Sequence, residues 1–570
     1  MEIVWDIEAN GLANPTLDKK GNPISRATSI WCIVAKEIGN EKIFTYTGSE
    51  IESGIDFLNR ADLWIGHNLV GYDIPVLRRF GLTSRCAVLD TLIVSRLMYP
   101  DKKDVKFPLH NKKGVHSHSL EAWGRRLGKS KKDYEGGWES YSPEMLDYCI
   151  NDVEVNHLIY KYQKNWIENN KKITQLEHLV GHVCADMSAN GFKFDCDSAQ
   201  DLQYELQRDK ADIEDSLQKI FPTIIKERWS EKTGKRLKDK TIIFNPSSTK
   251  QIAERFNVKY SWKAPTTEAG NPNCDTKVLK NLEFPEAASI LRYRDIQKLL
   301  GMVDDWMLRA CTSGDGTIHG QFNHQGAATG RATHSQPNIS QVDKDPRARR
   351  LWKPHDGHVQ VGSDLSGLEL RMLAHHMSEF DGGAYAKEIL EGDIHTTNMN
   401  AAGLSDRDQA KTFIYGFLYG AGSEKIGQIV GGNARDGQQL KAKFLRRLPA
   451  LRKVMQNVQF QSAKYGSVIL LDGRRVPVRS DHAALNTLLQ GNGAVVSKLW
   501  LVLAHKYLSP KGVKFMGWIH DEIQVSCSPD IAEETGKELV WAAQVAGEKL
   551  KVRMPIDAEY VIGESWADTH

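Results

Sequence analysis

A chain of 570 residues, 41% of them hydrophobic and 26% charged, has the composition of an ordinary globular protein, and its length predicts about three or four domains. The formal net charge of +3 is nearly neutral for this length, so any nucleic-acid partner must be met by local basic patches. The eight cysteines form no C-x-x-C pair, which argues against a zinc site or a disulfide framework and indicates a reducing, cytosolic compartment.

Roughly the first 165 residues are predicted to form an α/β domain. Strand-like runs (EIVWDI, SIWCIVAKEI and ADLWIGHN) alternate there with helical ones. The opening MEIVWDIEANGL lacks the basic and apolar regions of a signal peptide, and no apolar stretch is long enough to cross a membrane. We therefore expect neither a leader peptide nor a membrane span.

Four carboxylates in this region are candidate metal ligands. Asp6 and Glu8 are two apart on a predicted strand and share a face, Asp73 precedes a helical segment, and Tyr148 and Asp152 are four apart on one side of a helix. Packed carboxylates repel unless they share cations, and oxygen ligands favour Mg²⁺ or Mn²⁺. Two such ions, about 4 Å apart, can promote phosphodiester cleavage. Tyr148 would then orient the attacking water.

Two of these acids also have a simpler interpretation. Asp73 is placed as a helix N-cap would be, and Asp152 is compatible with an acid on a solvated surface. Asp90, in VLDTLIVSRL, is either a supporting partner of the acid cluster or the cap of the following helix. The order of the three motifs is more specific than any single acid.

The middle of the chain is predicted to be mainly helical. From about residue 166 to 310 the helical pattern is interrupted by a polar, basic stretch, KERWSEKTGKRLKDK, which we expect to be an exposed loop. Strand signals return at HVQVGSDL and VKFMGWIHDEIQVSC, with a long helical region, 385 to 465, between them. One fold element split by a helical insertion is the simplest interpretation.

A row of charged and aromatic side chains lies within this helical region. Arg407, Lys411, Tyr415 and Tyr419 are each four residues apart, so they share one helix face. Two positive charges and two phenols suit a bound anion with a planar group, which together describe a nucleotide. A solvated face beside a packed core is the alternative.

Two further acids are predicted at the ends of strands. HVQVGSDLSGLEL reads as a strand ending at Asp364 and a helix beginning near Ser366, and GWIHDEIQV reads as a hairpin with Asp521 at its tip. Acids that meet at strand ends can share two metal ions for nucleotidyl transfer. Ser366 and Glu369 also fit a capping box, which would make Glu369 purely structural.

Together these stretches resemble a known family. DLSGLELRMLAHHM, RDQAKTFIYGFLYGAGSEKIGQIVG and HDEIQV look like motifs A, B and C of family A DNA polymerases, and they are most similar to those of the replicative polymerases of short-tailed, T-odd bacteriophages. SHSLEAWGRRLG, FNPSS, GAATGRATHSQPNISQV, GDIHTTN and ALNTLLQGNGAVVSKLW agree with this. The D-x-E, H-N-x-x-x-Y-D and Y-x-x-x-D series resembles the three motifs of proofreading 3′–5′ exonucleases. The resemblance spans essentially the whole chain.

The resemblance implies a multidomain protein of α/β and α+β type, with an RNase H-like exonuclease domain followed by a right-hand polymerase of palm, fingers and thumb. The implied domains are the exonuclease at 1–165, connecting helices and thumb at 166–314, the first part of the palm at 315–376, the fingers at 377–485 and the second part of the palm at 486–570.

The resemblance also implies roles for individual residues. Asp364, Asp521 and the backbone carbonyl of Leu365 would bind the polymerase metals, while the exonuclease metals would be bound by Asp6, Glu8, Asp73 and Asp152. The residues implied at the incoming nucleotide are Arg407, Lys411 and His395 on the triphosphate, Tyr415 on the sugar and base, Tyr419 near the template base and Glu369 beside the sugar's 2′ side. The residues implied at the primer–template are Arg331, Gln490 and His520.

The implied function is template-directed DNA synthesis that replicates phage DNA by two-metal nucleotidyl transfer, with proofreading. Each active site would use two Mg²⁺ ions, for which Mn²⁺ can substitute. A single-subunit RNA polymerase shares the palm aspartates, but the exonuclease motifs and Glu369 argue against it. A bacterial repair polymerase would need room for a 5′-nuclease domain, and an inactive DNA-binding relic should have lost metal ligands that stand in place here.

Two features lead to narrower expectations. The phenol of Tyr415 can offer a hydroxyl where a chain terminator lacks its 3′-OH, so we expect efficient use of dideoxynucleotides. Some phage members recruit host thioredoxin through a long thumb insertion, where this chain has only the basic segment from Pro222 to Ile243. We expect this segment, including 226–240, to track duplex phosphates without thioredoxin; a solvated loop is the alternative.

The remaining expectations concern partners and location. A second basic cluster, 102–132, is either a DNA contact on the exonuclease side or a surface loop. Primer–template DNA and dNTPs are the implied substrates, and a phage helicase or primase and a single-stranded DNA-binding protein are the implied partners. The implied location is the host cytoplasm.

Overall fold

The computed structural model describes residues 1–101, 117–130, 132, 134–342 and 344–570, which form two units. The first unit contains Met1–Lys193, Thr317–Val342 and Lys353–His570, and the second contains Phe194–Gly316 and Asp343–Trp352. Most of the basic cluster predicted at 102–132 lies outside the described residues. Among the helices of the described part, none is both long enough and apolar enough to span a bilayer.

A sheet with helices on both faces forms the N-terminal part of the first unit. The strands are β1 (Glu2–Ala9), β2 (Thr16–Leu17), β3 (Pro23–Ile24), β4 (Ile30–Glu37), β5 (Ile43–Thr47), β6 (Leu63–Gly66), β7 (Ala87–Asp90) and β8 (Phe192–Phe194). The helices are α1 (Ile51–Asn59), α2 (Asp73–Arg78), α3 (Thr91–Met98), α4 (Leu120–Arg126), α5 (Pro143–Asn169) and α6 (Lys171–Asn190). Five strands form the sheet in the order β5-β4-β1-β6-β7, with β1 antiparallel to β4 and parallel to β6.

The central strand β1 is buried on both faces. Val4 packs with Val153 and other residues of α5, whereas Trp5 belongs to the core on the opposite face. Because side chains alternate along a strand, Asp6 and Glu8 lie on the same face as Val4. The sheet therefore directs both acids towards α5.

The second unit is mainly helical. Its elements are α7 (Cys196–Ile220), β9 (Ile224–Trp229), β10 (Arg236–Ile242), α8 (Thr249–Tyr260), α9 (Thr276–Lys280), α10 (Pro285–Ser313) and α11 (Pro346–Arg349). Helices α7 and α10 pack together, and Phe221, Phe244 and Phe256 lie at the centre of a small apolar core. The ring of Tyr260 stacks on Phe284 with a centroid separation of 4.0 Å.

The basic stretch predicted as an exposed loop is an exposed β-hairpin instead. Strands β9 and β10 pair antiparallel, with Lys240 opposite Lys226 and a register shift between Leu237 and Lys240. Lys226, Arg228 and Lys240 share one side of this hairpin, which we call its basic face, and none of them has an ion-pair partner among the described residues. On the other side, Arg236 pairs with Glu227 and Asp239.

The C-terminal part of the first unit combines an antiparallel sheet with many helices. Its strands, in chain order, are β11 (Thr317–Ile318), β12 (Gln321–Asn323), β13 (Thr333–Ser335), β14 (Trp352–Lys353), β15 (Val359–Leu365), β16 (Ser467–Ile469), β17 (Arg475–Pro477), β18 (Lys514–Ile519), β19 (Glu522–Cys527) and β20 (Ala558–Gly563). Four of them form a sheet in the order β18-β19-β15-β20. The predicted helical region lies in the chain between β15 and its sheet partners β18, β19 and β20. One sheet is therefore split by a helical insertion, as the sequence predicts.

The helices of this part include the predicted region 385–465, which is helical in the structure as well. They are α12 (Leu368–Asp381), α13 (Ala384–Glu391), α14 (Ile394–Ala402), α15 (Arg407–Leu418), α16 (Ser423–Ile429), α17 (Ala434–Arg447), α18 (Pro449–Tyr465), α19 (Ala484–Leu508) and α20 (Ala532–Lys549). Helix α20 packs against β15, β20 and α19, and so holds the four-stranded sheet and α19 together.

A buried charge cluster joins α6 to α19. The fully buried carboxylate of Glu177 accepts hydrogen bonds from Lys498 at 2.6 Å and from Arg474, and its second oxygen lies 2.7 Å from His324. Arg474 also pairs with Asp472. Burial alone would favour the neutral acid, but the charges of Lys498 and Arg474 hold the pKa of Glu177 well below its usual range. We call these residues the Glu177 cluster.

Candidate active sites

The two acids predicted at strand ends meet at one edge of the antiparallel sheet. The backbone N–H of Leu365, at the end of β15, donates a 2.9 Å hydrogen bond to the carbonyl oxygen of Asp521. Asp521 lies in the turn between β18 and β19, and Asp364 is directly opposite Glu522 in the β15–β19 pair. Main-chain pairing thus places Asp364 and Asp521 side by side, and it confirms the predicted hairpin with the acids at its tip.

This acid cluster is suited to cations. Burial, together with the charges of Asp521 and Glu522, raises the pKa of Asp364 to about 7, and burial also raises the pKa of Asp521. A cation between such carboxylates stabilises their ionised state, which burial and mutual repulsion otherwise make costly. An oxygen-only donor set suits Mg²⁺ or Mn²⁺. The residues present therefore fit the divalent ions that the sequence predicts.

Glu522 has a different role from its two neighbours. Its carboxylate is buried and accepts hydrogen bonds from Trp566 Nε1 and Gln524 Nε2, both at 2.7 Å, and it lies 2.7 Å from His570 Nδ1. Although burial opposes ionisation, these contacts lower the pKa of Glu522. It therefore adds negative charge to the site while its own oxygens are already held.

Glu369 connects two residues for which the sequence predicts separate roles. Its carboxylate accepts one hydrogen bond from Arg331 at 2.9 Å and one from the Tyr419 hydroxyl at 2.8 Å. The capping-box interpretation of Ser366 and Glu369 is wrong, because α12 begins at Leu368 after Gly367, which has a φ of 57° and caps without a side chain. Glu369 is therefore free of any capping role and faces the site.

The four side chains of the predicted row lie on one helix in the structure, as their spacing predicts. Helix α15 begins at Arg407 and ends at Leu418, and a 2.9 Å hydrogen bond from Tyr419 N to Tyr415 O extends the helical spacing by one residue. The rings of Tyr415 and Tyr419 are stacked, with centroids 6.4 Å apart. Lys411 is exposed on the same face. The row thus presents two aromatic rings beside fixed positive charge.

Asp393 was not among the predicted site residues, yet it organises this positive charge. Its carboxylate accepts hydrogen bonds from Arg407 Nε at 2.9 Å and Nη2 at 3.2 Å, and one from the backbone N–H of His395 at 3.0 Å. The pKa of Asp393 is lowered, chiefly by the hydrogen bond from Arg407. The quoted GDIHTTN stretch contained this aspartate, which also caps α14 in the structure.

The residues predicted at the primer–template are distributed around the same edge. His520 lies in the β18–β19 turn next to Asp521, with a φ of 61°, and Gln490 is partly buried on α19. Burial is the largest cause that lowers the pKa of His520, and the positive charge of Arg331 is the next. The same charge opposes the rise in the pKa of Asp521. Arg331 and His520 therefore lie near the acids, and no hydrogen bond joins Gln490 to them among the described residues.

The N-terminal acids form a second centre in the first unit. Asp6, Glu8 and the thiol of Cys149 offer ligand atoms that all lie within 4.8 Å of one another. Asp73 is buried and accepts a hydrogen bond from Ile7 N at 3.2 Å; burial, followed by the charge of Asp6, holds the pKa of Asp73 well above its usual value. The N-cap interpretation of Asp73 is wrong, because Tyr72 occupies that position.

Helix α5 supplies the remaining predicted residues of this centre. Asp152 is 3% exposed, so its interpretation as a surface acid is also wrong. It lies three residues after Cys149 and on the same helix face. The ring of Tyr148 contacts Tyr134 and Trp138, with centroids 5.7 Å and 6.2 Å away. The oxygen donors fit divalent ions here too, with a thiol that the sequence interpretation missed.

Asp90 has the capping role that was considered for it, and it also binds a neighbouring loop. It caps α3 by accepting hydrogen bonds from Leu92 N and Ile93 N, and it also accepts from Asn68 N at 2.9 Å and Val70 N at 3.1 Å. The last two bonds fix the loop that precedes Asp73. A role of Asp90 in supporting the acid cluster stays a prediction.

Comparisons with known proteins agree with the motifs. The family model described as DNA polymerase family A matches residues 217–568. The DNA-directed DNA polymerases of Enterobacteria phage T3 and Escherichia phage T7 are each 34% identical to this chain, over alignments of 722 residues that cover all of both chains.

A solved structure supports the same conclusion for the fold. The POL domain of Pol1 from M. smegmatis, in complex with DNA primer-template and dNTP, matches with a TM-score of 0.76 and 18% identity, over 95% of this chain and 94% of that one. Neither an RNA polymerase nor an inactive relic gains support from these matches. The family predicted from motifs A, B and C is confirmed: this chain belongs to DNA polymerase family A.

Proposed function

We propose that this family A DNA polymerase extends a primer along a DNA template at the edge formed by Asp364 and Asp521, and that it replicates phage DNA. The observation that carries this proposal is the hydrogen bond from Leu365 N to Asp521 O, which fixes the two acids next to each other through the main chain. Asp364, Asp521 and the carbonyl of Leu365 would hold two Mg²⁺ ions, with Mn²⁺ as a substitute. When bound, the ions supply positive charge for the attacking 3′-oxygen and the departing pyrophosphate.

The face of α15 would bind the incoming dNTP. Lys411 and Arg407, the latter oriented by Asp393, provide charge for the triphosphate together with His395. Tyr415 would lie against the sugar and base. This arrangement supports nucleotide binding because the charges are fixed at one end of the row and the rings at the other.

Glu369 would act as the sugar selector. It stands between Arg331 and Tyr419, and its carboxylate would exclude a 2′-hydroxyl by steric and electrostatic conflict. Arg331, Gln490 and His520 would contact the primer–template near its 3′ end, and Tyr419 would lie near the template base. The proximity of Arg331 and His520 to Asp521 supports this assignment.

The N-terminal centre would be the proofreading 3′–5′ exonuclease. Asp6, Glu8, Asp73 and Asp152 would hold two Mg²⁺ ions, and Tyr148 would orient the attacking water. The burial of Asp73 and Asp152 and the mutual repulsion between Asp6 and Asp73 support a cation-binding role, because such charges are costly without one.

The proposed domains follow the sequence boundaries. They are the exonuclease at 1–165, connecting helices and thumb at 166–314, palm at 315–376 and 486–570, and fingers at 377–485. The mixed five-stranded sheet supports an RNase H-like exonuclease, and the sheet made from β15 and β18–β20 supports a palm split by the fingers.

The β9–β10 hairpin would track the phosphates of the duplex. Its basic face has three cations without ion-pair partners among the described residues, and electrostatic contacts of this kind require no second protein. We therefore propose synthesis without thioredoxin. A measurement of product length on a long primed template, with and without added thioredoxin, tests this; longer products with thioredoxin would contradict it. A phage helicase or primase and a single-stranded DNA-binding protein are the proposed partners, in the host cytoplasm.

One experiment tests both catalytic assignments. A 5′-labelled primer on a longer template is incubated with Mg²⁺, with and without dNTPs, and we expect growth with dNTPs and shortening without them. Asp364→Asn should abolish only growth, and Asp6→Asn only shortening. Asp356→Asn and Asp56→Asn, which change exposed aspartates elsewhere in the first unit, are the matched controls. Growth by Asp364→Asn, or shortening by Asp6→Asn, would overturn the corresponding assignment.

A further inference from the structure

The proposed exonuclease centre contains a sulfur atom as well as carboxylate oxygens. Cys149 is buried on α5, and its Sγ lies 3.9 Å from Asp6 Oδ2. Glu8, which follows on the same face of β1, brings a second carboxylate within 4.8 Å of both. Two strand residues and one helix residue thus aim one thiol and two carboxylates at a common point.

The distance from Cys149 Sγ to Asp6 Oδ2 is close to that between two ligands of one metal ion. In a tetrahedral site with a metal–sulfur bond of about 2.3 Å and a metal–oxygen bond of about 2.0 Å, sulfur and oxygen ligands are about 3.5 Å apart. The observed 3.9 Å exceeds this by a few tenths of an ångström. A rotation of either side chain within its own rotamer would close this difference.

The nature of the three donor atoms indicates which cations would be preferred. Thiolate ligands select the softer divalent ions such as Zn²⁺ and Cd²⁺, whereas carboxylates and carbonyls suit Mg²⁺ and Mn²⁺. The polymerase centre, built from Asp364, Asp521 and the carbonyl of Leu365, offers oxygen alone. The two centres of this chain therefore differ in the class of ion that each one favours.

We propose that Asp6, Glu8 and Cys149 form a binding site for a thiophilic divalent cation of the zinc class, held by two carboxylate oxygens and one thiolate sulfur. On binding, the thiol releases its proton to solvent as the metal–sulfur bond forms. Three protein ligands leave a fourth position for water.

The consequence for activity rests on the proposed exonuclease function. A zinc-class ion at this site would use Asp6 and Glu8, which the exonuclease needs for Mg²⁺. Such an ion would therefore inhibit editing at concentrations that leave primer extension unaffected, because the polymerase centre has no sulfur ligand. This gives the enzyme a selective sensitivity that the motifs alone do not predict.

The test measures metal binding directly. The full chain is titrated with Cd²⁺, whose bond to a thiolate gives an ultraviolet charge-transfer absorption, in the presence of excess Mg²⁺ and without DNA. We expect a saturable band in the wild type that is lost in Cys149→Ser, because the absorption comes from the bond between Cd²⁺ and this thiolate. Cys184→Ser, which changes a buried thiol on α6 away from this site, is the matched control and should keep the band.

Each outcome has a defined meaning. A band that is unchanged in Cys149→Ser, lost only in Cys184→Ser, or absent from the wild type would overturn the proposal. Normal primer extension by each variant shows that it has folded. If the wild type binds Cd²⁺ through Cys149 but does not shorten primers with Mg²⁺, the metal site stands and the exonuclease assignment fails, so the two proposals are separable.

Discussion

The Glu177 cluster provides the sharpest stability prediction. Glu177→Gln keeps the shape of the side chain but removes the negative charge that faces Lys498, and both side chains are 0% exposed. Unit charges 2.6 Å apart attract each other by roughly 6 kcal/mol at an effective dielectric constant of 20. The amide keeps some hydrogen bonding, so we expect Glu177→Gln to lower the free energy of unfolding by about 3–5 kcal/mol. This is the range measured when one partner of a buried ion pair is removed.

Hydrogen exchange is the appropriate assay for this variant. The chain has two units, so a single unfolding transition would not report one free energy. Amide protection within α19, read by mass spectrometry, should fall by about two to four orders of magnitude, at 1.36 kcal/mol per factor of ten. Burial lowers the pKa of Lys498, so raising the pH should let this lysine lose its proton and recover part of the loss.

The matched control removes both partners together. Glu177→Gln combined with Lys498→Met leaves Arg474 paired with Asp472, and replacing a buried pair by apolar groups is often nearly neutral. The double variant should therefore be more stable than Glu177→Gln alone. A loss below about 1 kcal/mol in the single variant, or a double variant that is no more stable, would refute this account of the cluster.

Three other outcomes are expected. Tyr415→Phe should lower dideoxynucleotide use roughly tenfold, the effect of one lost hydrogen bond of about 1.5 kcal/mol, and equal terminator incorporation would refute this. In chelator, Asp364 (pKa about 7) should make the first unit less stable as pH rises from about 4 to about 7, because the folded state binds the proton more tightly. Asp521 and Asp73 contribute in the same direction, so Asp364→Asn should make the pH slope of the melting temperature shallower, and an unchanged slope would contradict this. Changing all three residues of the basic face to Gln should reduce the slope of log K for duplex binding against log salt concentration by up to about 2.7. The control Arg236→Gln changes a residue that is already ion-paired and should alter this slope little. Equal slopes in the wild type and the triple variant would refute this.

Local spacing was enough to predict the acids of both centres. Alternation in VWDIEANGL places Asp6 and Glu8 on one face, and the hairpin pattern around Asp521 is the one that the structure shows. These predictions succeeded because each strand has an apolar pattern that identifies its buried face. The family motifs then linked acids that are far apart in the sequence.

The failed predictions have physical causes. Strands β9 and β10 carry polar side chains on both faces and pair only with each other, so no apolar alternation identified them. Ser366 and Glu369 fitted a capping box, but Gly367 adopts a left-handed conformation and starts α12 later. Cys149 was overlooked because a single buried cysteine usually acts as a small apolar residue, and only the fold brings Asp6 to it.

The two centres also become complete at different times while the chain is synthesised. The N-terminal sheet and α5 are finished once Asn169 has emerged, whereas the Asp364 strand must wait for β20, which ends at Gly563. At about 5–20 residues per second, this difference corresponds to roughly 20–80 s of translation. We infer that a ribosome stalled between these points carries a proposed editing centre without its polymerase, so nuclease activity without extension is expected from such nascent chains; stalled complexes that shorten no primer would contradict this order.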